Sequence, residues 1–225
     1  MRGVQSPYRT TVGRKVAMAV SGAFFVLFVI GHMLGNMKVY MGPAAFNGYA
    51  EGLREFGHPF LARGQFLWIA RVLLLASLGV HALAALQLTR VSRAARSVRY
   101  RKHEAIEFSY ASRTMRWGGV LLLAFVVYHL MHFTWGNAHP DFVPGDAYHN
   151  FVTGFQVWPV SVAYMLAMVV LGLHLYHGIW SSFQTFGLNG GRFNRIRRPL
   201  AAGVALVVAL GNLSFPVAVL AGIVQ

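Results

Sequence analysis

Along the chain, apolar residues gather into five long runs separated by shorter polar stretches: Val16 to Leu34, Val72 to Leu88, Trp117 to Trp135, Val160 to Phe183 and Leu200 to Val224. Each approaches the roughly 20 residues a helix needs to cross a hydrocarbon core of about 30 Å. None alternates apolar and polar positions with period two, which disfavours a β-barrel, because open strands in lipid leave backbone groups unpaired. The pattern predicts an all-α integral membrane protein, a single membrane domain over residues 1–225, with transmembrane helices at about 15–35, 66–89, 116–136, 158–184 and 199–223. The first run follows Arg14 and Lys15 as a secretory signal would. It is too long for one and lacks a small-residue cleavage site, so a retained helix is expected.

Composition agrees with this reading. With 56% hydrophobic and 12% charged side chains and a mean hydropathy of +0.50, the chain has too little polar surface for a water-soluble globule. A net charge of +14 would suggest nucleic acid if its placement were ignored, and no nucleic-acid partner is expected. Arg2, Arg9, Arg14 and Lys15 precede the first run. Arg90, Arg93, Arg96, Arg99, Arg101, Lys102, Arg113 and Arg116 lie between the second and third, and Arg192, Arg195, Arg197 and Arg198 between the fourth and fifth. The opposite loops carry only Lys38, Arg54 and Arg63, with Arg71 just inside the second run. The positive-inside rule then predicts a cytoplasmic N-terminus and an outside C-terminus. The cations also suit anionic lipid, and the stretch from Arg90 to Arg116 is long enough to dock a protein partner. All five tryptophans (Trp68, Trp117, Trp135, Trp158, Trp180) fall near run ends, as interfacial anchors do. The absence of cysteine excludes structural disulfides, thiolate-held iron–sulfur clusters in this chain and covalent c-type haem.

Histidines inside the apolar runs change the picture. His32 sits in "AFFVLFVIGHMLGN", His81 in "LLLASLGVHALAAL", His129 and His132 in "LLLAFVVYHLMHFTW", and His174 and His177 in "MVVLGLHLYHGIW". An imidazole in hydrocarbon requires a partner. Counted from the cytoplasmic ends at about 1.5 Å per residue, His32 lies roughly 26 Å up, with His129 and His132 at roughly 20 and 24 Å. His81 lies roughly 14 Å up, with His174 and His177 at roughly 15 and 10 Å. Two levels emerge, an outer one joining the first and third helices and an inner one joining the second and fourth. That arrangement suits two b-type haems stacked across a bilayer, each with axial histidines from different helices. Members of a doublet, three residues apart, cannot serve two haems, so one ligates and the other bonds a propionate, a quinone or a carbonyl. Interhelical hydrogen bonding is the plainer reading for any one such histidine; six at two matched depths favour ligation. Gly31 and Gly35 near His32, and Gly178 after His177, leave room for a macrocycle or for close helix packing. Met33 and Met131 are alternative iron ligands but read as filler. Membrane diiron enzymes cluster histidines in cytoplasmic loops, where only His103 lies here, and a proton channel wants carboxylates within the bilayer, whereas all six acids lie in loops.

The segment "GRKVAMAVSGAFFVLFVIGHMLGNMKVYMGPAAFNGYAEGLREFG", with its basic pair, Ser21-Gly22, buried His32 and the GN and AFNGYAEGL signatures, resembles the cytochrome b membrane-anchor subunit of succinate dehydrogenase and fumarate reductase. The likeness is to the single-subunit, five-helix, dihaem type of succinate:quinone oxidoreductase, and it continues through "VVYHLMHFTWG" and "HLYHGIWSSFQTFG". It implies His32 with His129 on an outer haem and His81 with His177 on an inner one, although depth alone slightly favours His132 over His129, and His174 remains the inner alternate. It further implies a bacterial cytoplasmic membrane, flavoprotein and iron–sulfur partner subunits, two haem b and a quinone, usually menaquinone. The chain would pass electrons without itself binding succinate, and a higher oligomer of the complex is compatible with it. Some quinol-oxidising relatives carry a glutamate two residues before the fourth ligand. Leu175 stands there if His177 is that ligand, which tilts the expectation towards succinate oxidation. A dihaem anchor of a hydrogenase or formate dehydrogenase, and a haem-free structural anchor, are the alternatives.

Overall fold

Thr10 opens the first long helix, its hydroxyl accepting from the Gly13 amide at 2.9 Å and satisfying a donor that a helix start leaves without an intrahelical partner. The computed structural model describes residues 8, 10–95, 110–188 and 190–225. In it the chain forms α1 (Thr11–Asn36), continued by a 3-10 stretch (Met37–Met41), then α2 (Pro43–Glu55), α3 (Gln65–Ala94), α4 (Tyr110–Phe133), α5 (Ala147–Gln156), α6 (Trp158–Thr185) and α7 (Gly191–Leu220). Among the described residues, five helices are long and apolar enough to cross a membrane: α1 with its extension, α3, α4 from Thr114, α6 and α7. Among the described residues there is no strand. The fold is all-α, as the apolar runs imply.

α7 starts at Gly191, ahead of the apolar run, and carries Pro199 and Pro216 within it. Proline removes a ladder hydrogen bond, but helices packed in membranes tolerate it where neighbours re-satisfy the backbone. Pro216 is fully buried. α6 and α7 approach closely because small residues meet between them: a Cβ built on Gly172 would lie 3.2 Å from the Ala209 methyl. Outward faces such as Leu166, Val169, Leu206 and Leu210 are exposed, the lipid-facing surface of the bundle. Trp68, Trp117, Trp135 and Trp158 are likewise exposed at helix ends, whereas Trp180 turns inward against His177.

Two short helices, α2 and α5, occupy stretches that the apolar runs leave as loops. Gly42, at φ 90°, makes a turn that glycine adopts freely, and Pro43 then starts α2 with its φ already set. α5 is capped by Asp146, which accepts from the His149 amide at 2.9 Å. Both helices pack on one end of the bundle, where Phe46, Phe151, Phe155, Tyr164, Phe215 and Val219 form a continuous buried cluster. Polar bonds fasten the two together: Asn47 donates to Asp146 at 2.9 Å and accepts from the Tyr148 amide at 2.9 Å. On the exposed side of α2, Glu51 pairs with Arg63 and Arg54, and Arg63 first, then Arg54, holds its carboxyl below the ordinary range.

The His149 amide, and after it Asn47, hold the Asp146 carboxyl below its ordinary value. A depressed folded-state pKa stabilises fully above the unfolded value of about 4 and loses that contribution as pH falls through the folded value. Asp146→Ala is therefore expected to lower stability by about 0.5–2 kcal/mol in thermal unfolding of the detergent-extracted chain near neutral pH. The gap from wild type should close in acid, and Asp146→Asn, itself a good cap, should keep most of the stability with a flatter acid limb.

Candidate functional site

α1, α3, α4 and α6, with parts of α5 and α7, line a half-open cavity of about 2650 Å³, well beyond the roughly 300–1,000 Å³ of an ordinary ligand pocket. Its walls are largely apolar. His32, His81, His129, His174 and His177 all line it, and His132 does not. The surface that His32 exposes opens onto this space.

The cavity histidines form two facing pairs. His32 from α1 meets His129 from α4, ring centres 5.9 Å apart at an interplanar angle of 88°. His81 from α3 meets His174 from α6 at 6.2 Å and 53°. Each pair joins two helices, and the pairing runs between the first and third spans and the second and fourth. His81 is anchored from behind: its Nδ1–H donates to the Met18 carbonyl at 3.2 Å, with the Ser21 hydroxyl also 3.2 Å away. That bond leaves Nε2 with its lone pair available. Gly22, in the Ser-Gly pair, makes the approach feasible, since a Cβ there would already touch the His81 ring at 3.4 Å. His129 is anchored similarly, its Nδ1 3.3 Å from the Tyr164 hydroxyl, and Phe28 stacks on His32 at 5.3 Å.

The doublet partners have different surroundings. His132 is fully buried, with Nδ1 3.0 Å from Tyr164 Oη and its ring stacked on Tyr128 and His139. His177 lies one turn from His174, its ring against Trp180 at 5.6 Å. The buried Nδ1 atoms of His174 and His177 and Nε2 of His132 have no hydrogen-bond partner among the described residues. Gly178 lines the cavity with open space beside it, Gly119 faces the His174 ring at 3.9 Å, and Gly31 is exposed but lies outside the cavity lining. Gly35 does not contribute to that space: the Tyr49 ring fills the place where its Cβ would stand.

The pairs suit a haem iron. A haem would ask for one imidazole from each of two helices, and each pair supplies two such rings facing one another at 5.9 and 6.2 Å. Among the described residues no three His, Cys, Asp or Glu converge as a ligand set. A site built from side chains alone therefore has no basis there, whereas haem asks the protein for two. Sequence reasoning missed Tyr164, Met18, His139 and Gly154. Tyr164 carried a signal, a hydroxyl inside an apolar run that must find a partner, whereas Met18 and Gly154 gain their roles only through long-range packing and His139 through the turn that folds it back on His132.

An all-helical bundle with, among the described residues, five membrane-length helices and histidines paired across a large cavity defines a multi-pass membrane protein. The family model of the succinate dehydrogenase/fumarate reductase transmembrane subunit matches residues 90–213, and the chain belongs to that family. No curated protein and no solved structure matches it. The matched stretch carries His129, His132, His174 and His177. Membership makes the chain a membrane subunit of a complex with oxidoreductase activity, and implies association with flavoprotein and iron–sulfur subunits.

Proposed function

We propose that this chain is the dihaem cytochrome b anchor of a succinate:quinone oxidoreductase, conveying electrons between the iron–sulfur subunit and a membrane quinone, menaquinone by resemblance. The observation that carries the proposal is the two facing histidine pairs on one cavity, in a member of this family. His32 and His129 hold the outer haem, and His81 and His174 the inner one. The 6.2 Å approach of His81 and His174 supports His174 in place of His177, which the resemblance implies. When bound, b-type haems supply reversible one-electron transfer. The protein's part is to fix each imidazole, through the Met18 carbonyl for His81 and through Tyr164 for His129, and to keep water from the cavity with its apolar walls. With His174 as ligand, the residue two before it is Gly172, packed on Ala209, so no carboxylate stands there either, and succinate oxidation is the favoured direction.

The N-terminus lies in the cytoplasm and the C-terminus outside a bacterial cytoplasmic membrane, on the strength of the basic loops. Arg96 and Arg99, in the basic stretch from Arg90 to Arg116 that includes the end of α3 and the start of α4, lie outside the described residues. Their place in the largest cationic stretch makes that stretch the dock for the iron–sulfur subunit. Reversing both charges should release the soluble subunits from purified complex, most visibly at raised salt, where screening already weakens exposed pairs. Full retention across a salt series would leave the stretch with topology alone. The function itself is tested by deleting the chain: the remaining subunits should oxidise succinate with an artificial soluble acceptor but not with quinone, and retained quinone reduction would contradict the proposal.

A further inference from the structure

Tyr164 is buried in α6 with its hydroxyl between two histidines of α4, 3.3 Å from His129 Nδ1 and 3.0 Å from His132 Nδ1. A phenol has one proton, so it donates to one of these nitrogens and accepts from the other. Resting on the proposed assignment of His129 as an axial ligand, the order follows. With Nε2 given to iron, the His129 proton sits on Nδ1 and is donated to Tyr164 Oη, whose own proton goes to His132 Nδ1. His132 then carries its proton on Nε2.

The surroundings hold this string in one arrangement. His132 is sandwiched between Tyr128, nearly parallel at 10° and 5.6 Å, and His139 at 27° and 4.8 Å. His139 is itself pinned, donating from Nε2 to the Asn150 carbonyl at 2.7 Å and accepting from the Asp141 amide at 3.1 Å. Gly154 provides the space, since a Cβ there would come within 2.9 Å of both the His132 and His139 rings. Phe125 and Phe155 meet the Tyr164 ring edge-on at 4.9 and 5.0 Å, which fixes where the hydroxyl points.

We infer that Tyr164, backed by His132, is a positioning residue that sets the potential of the outer haem through His129. A hydrogen bond accepted from the distal nitrogen of a ligating imidazole makes that imidazole a stronger donor and favours the oxidised metal. A hydroxyl that itself donates onward accepts more strongly. The inner ligand His81 faces the Met18 carbonyl and the Ser21 hydroxyl instead, neither of them part of the Tyr164 string, so the effect belongs to one haem alone. The reason for the second histidine of the α4 doublet is then that it receives the Tyr164 proton.

The test is a redox titration of the detergent-extracted full chain, with His129→Ala used to identify which potential belongs to the outer haem. Tyr164→Phe keeps the ring and removes the hydroxyl. It should retain two haems, raise the outer potential, leave the inner one unmoved and alter the low-spin ferric resonance of the outer haem alone. His132→Leu should raise the same potential by a smaller amount, and it carries the test should Tyr164→Phe fold poorly. Two bound haems with unmoved potentials in both variants would overturn the inference while leaving the proposed function intact. A wild-type chain without haem would overturn the function and this inference together.

Discussion

His174→Ala is expected to leave the purified chain with one haem, and His177→Ala with two. The two residues lie three apart on α6 and share roughly one face of the helix, so spacing alone does not separate them. Their neighbours do. His174 faces His81 across the cavity at 6.2 Å, as the proposed inner pair needs, whereas the His177 ring packs on the Trp180 indole at 5.6 Å. Trp180 in turn lies under the guanidinium groups of Arg197 and Arg198, at 5.5 and 5.7 Å from its ring centre, which places His177 beside the basic end of the bundle. Haem stoichiometry by pyridine haemochrome on both variants decides between them, and loss of a haem from His177→Ala with retention in His174→Ala would restore the assignment that the resemblance implies.

The second large effect comes from a residue that touches no cofactor. Gly154→Val should cost about 1–3 kcal/mol, the usual consequence of overpacking a filled interior, and it should deplete the outer haem more than the inner one. The Cβ alone would sit 2.9 Å from His132 Cε1 and from His139 Nε2. Both rings are held, one by stacking and one by its bonds to Asn150 and Asp141, so neither yields freely. Displacing His132 disturbs Tyr164 and through it His129. Gly48→Ala on α2, where an added Cβ meets nothing within 4 Å, is the matched control and should cost nothing. Thermal unfolding in detergent, with haem content followed along the melt, gives both readings.

Much of the architecture was legible because membrane helices announce themselves: uninterrupted apolar runs of this length have few other solutions, and depth could be counted along them at a fixed rise per residue. Counting also brought His32 to the level of the α4 doublet, and His81 to that of the α6 doublet. It could not choose within a doublet, because what separates His129 from His132 is that one ring faces His32 on the cavity while the other is enclosed by His139 and Gly154, a matter of packing between elements and not of spacing. α2 and α5 were hidden for a different reason. They are short and amphipathic, without the long apolar run that marked the spans, and what betrays them is local chemistry, Gly42-Pro43 at one start and the Asp146 cap at the other. Gly35 shows how a small residue misleads: next to His32 it suggested room for a macrocycle, but the Tyr49 side chain, reaching across from α2, takes that room. The last helix overran its apolar run because Pro199 sits within α7 and does not start it.

The central claim is that this cavity carries two bis-histidine b-type haems. A reduced-minus-oxidised spectrum of the purified chain, with haem counted per polypeptide, tests it most directly. The account predicts low-spin b-type bands and two haems per chain, falling to one in each of His32→Ala, His81→Ala, His129→Ala and His174→Ala. A chain that purifies folded, in complex with its partner subunits, and shows no haem would contradict it.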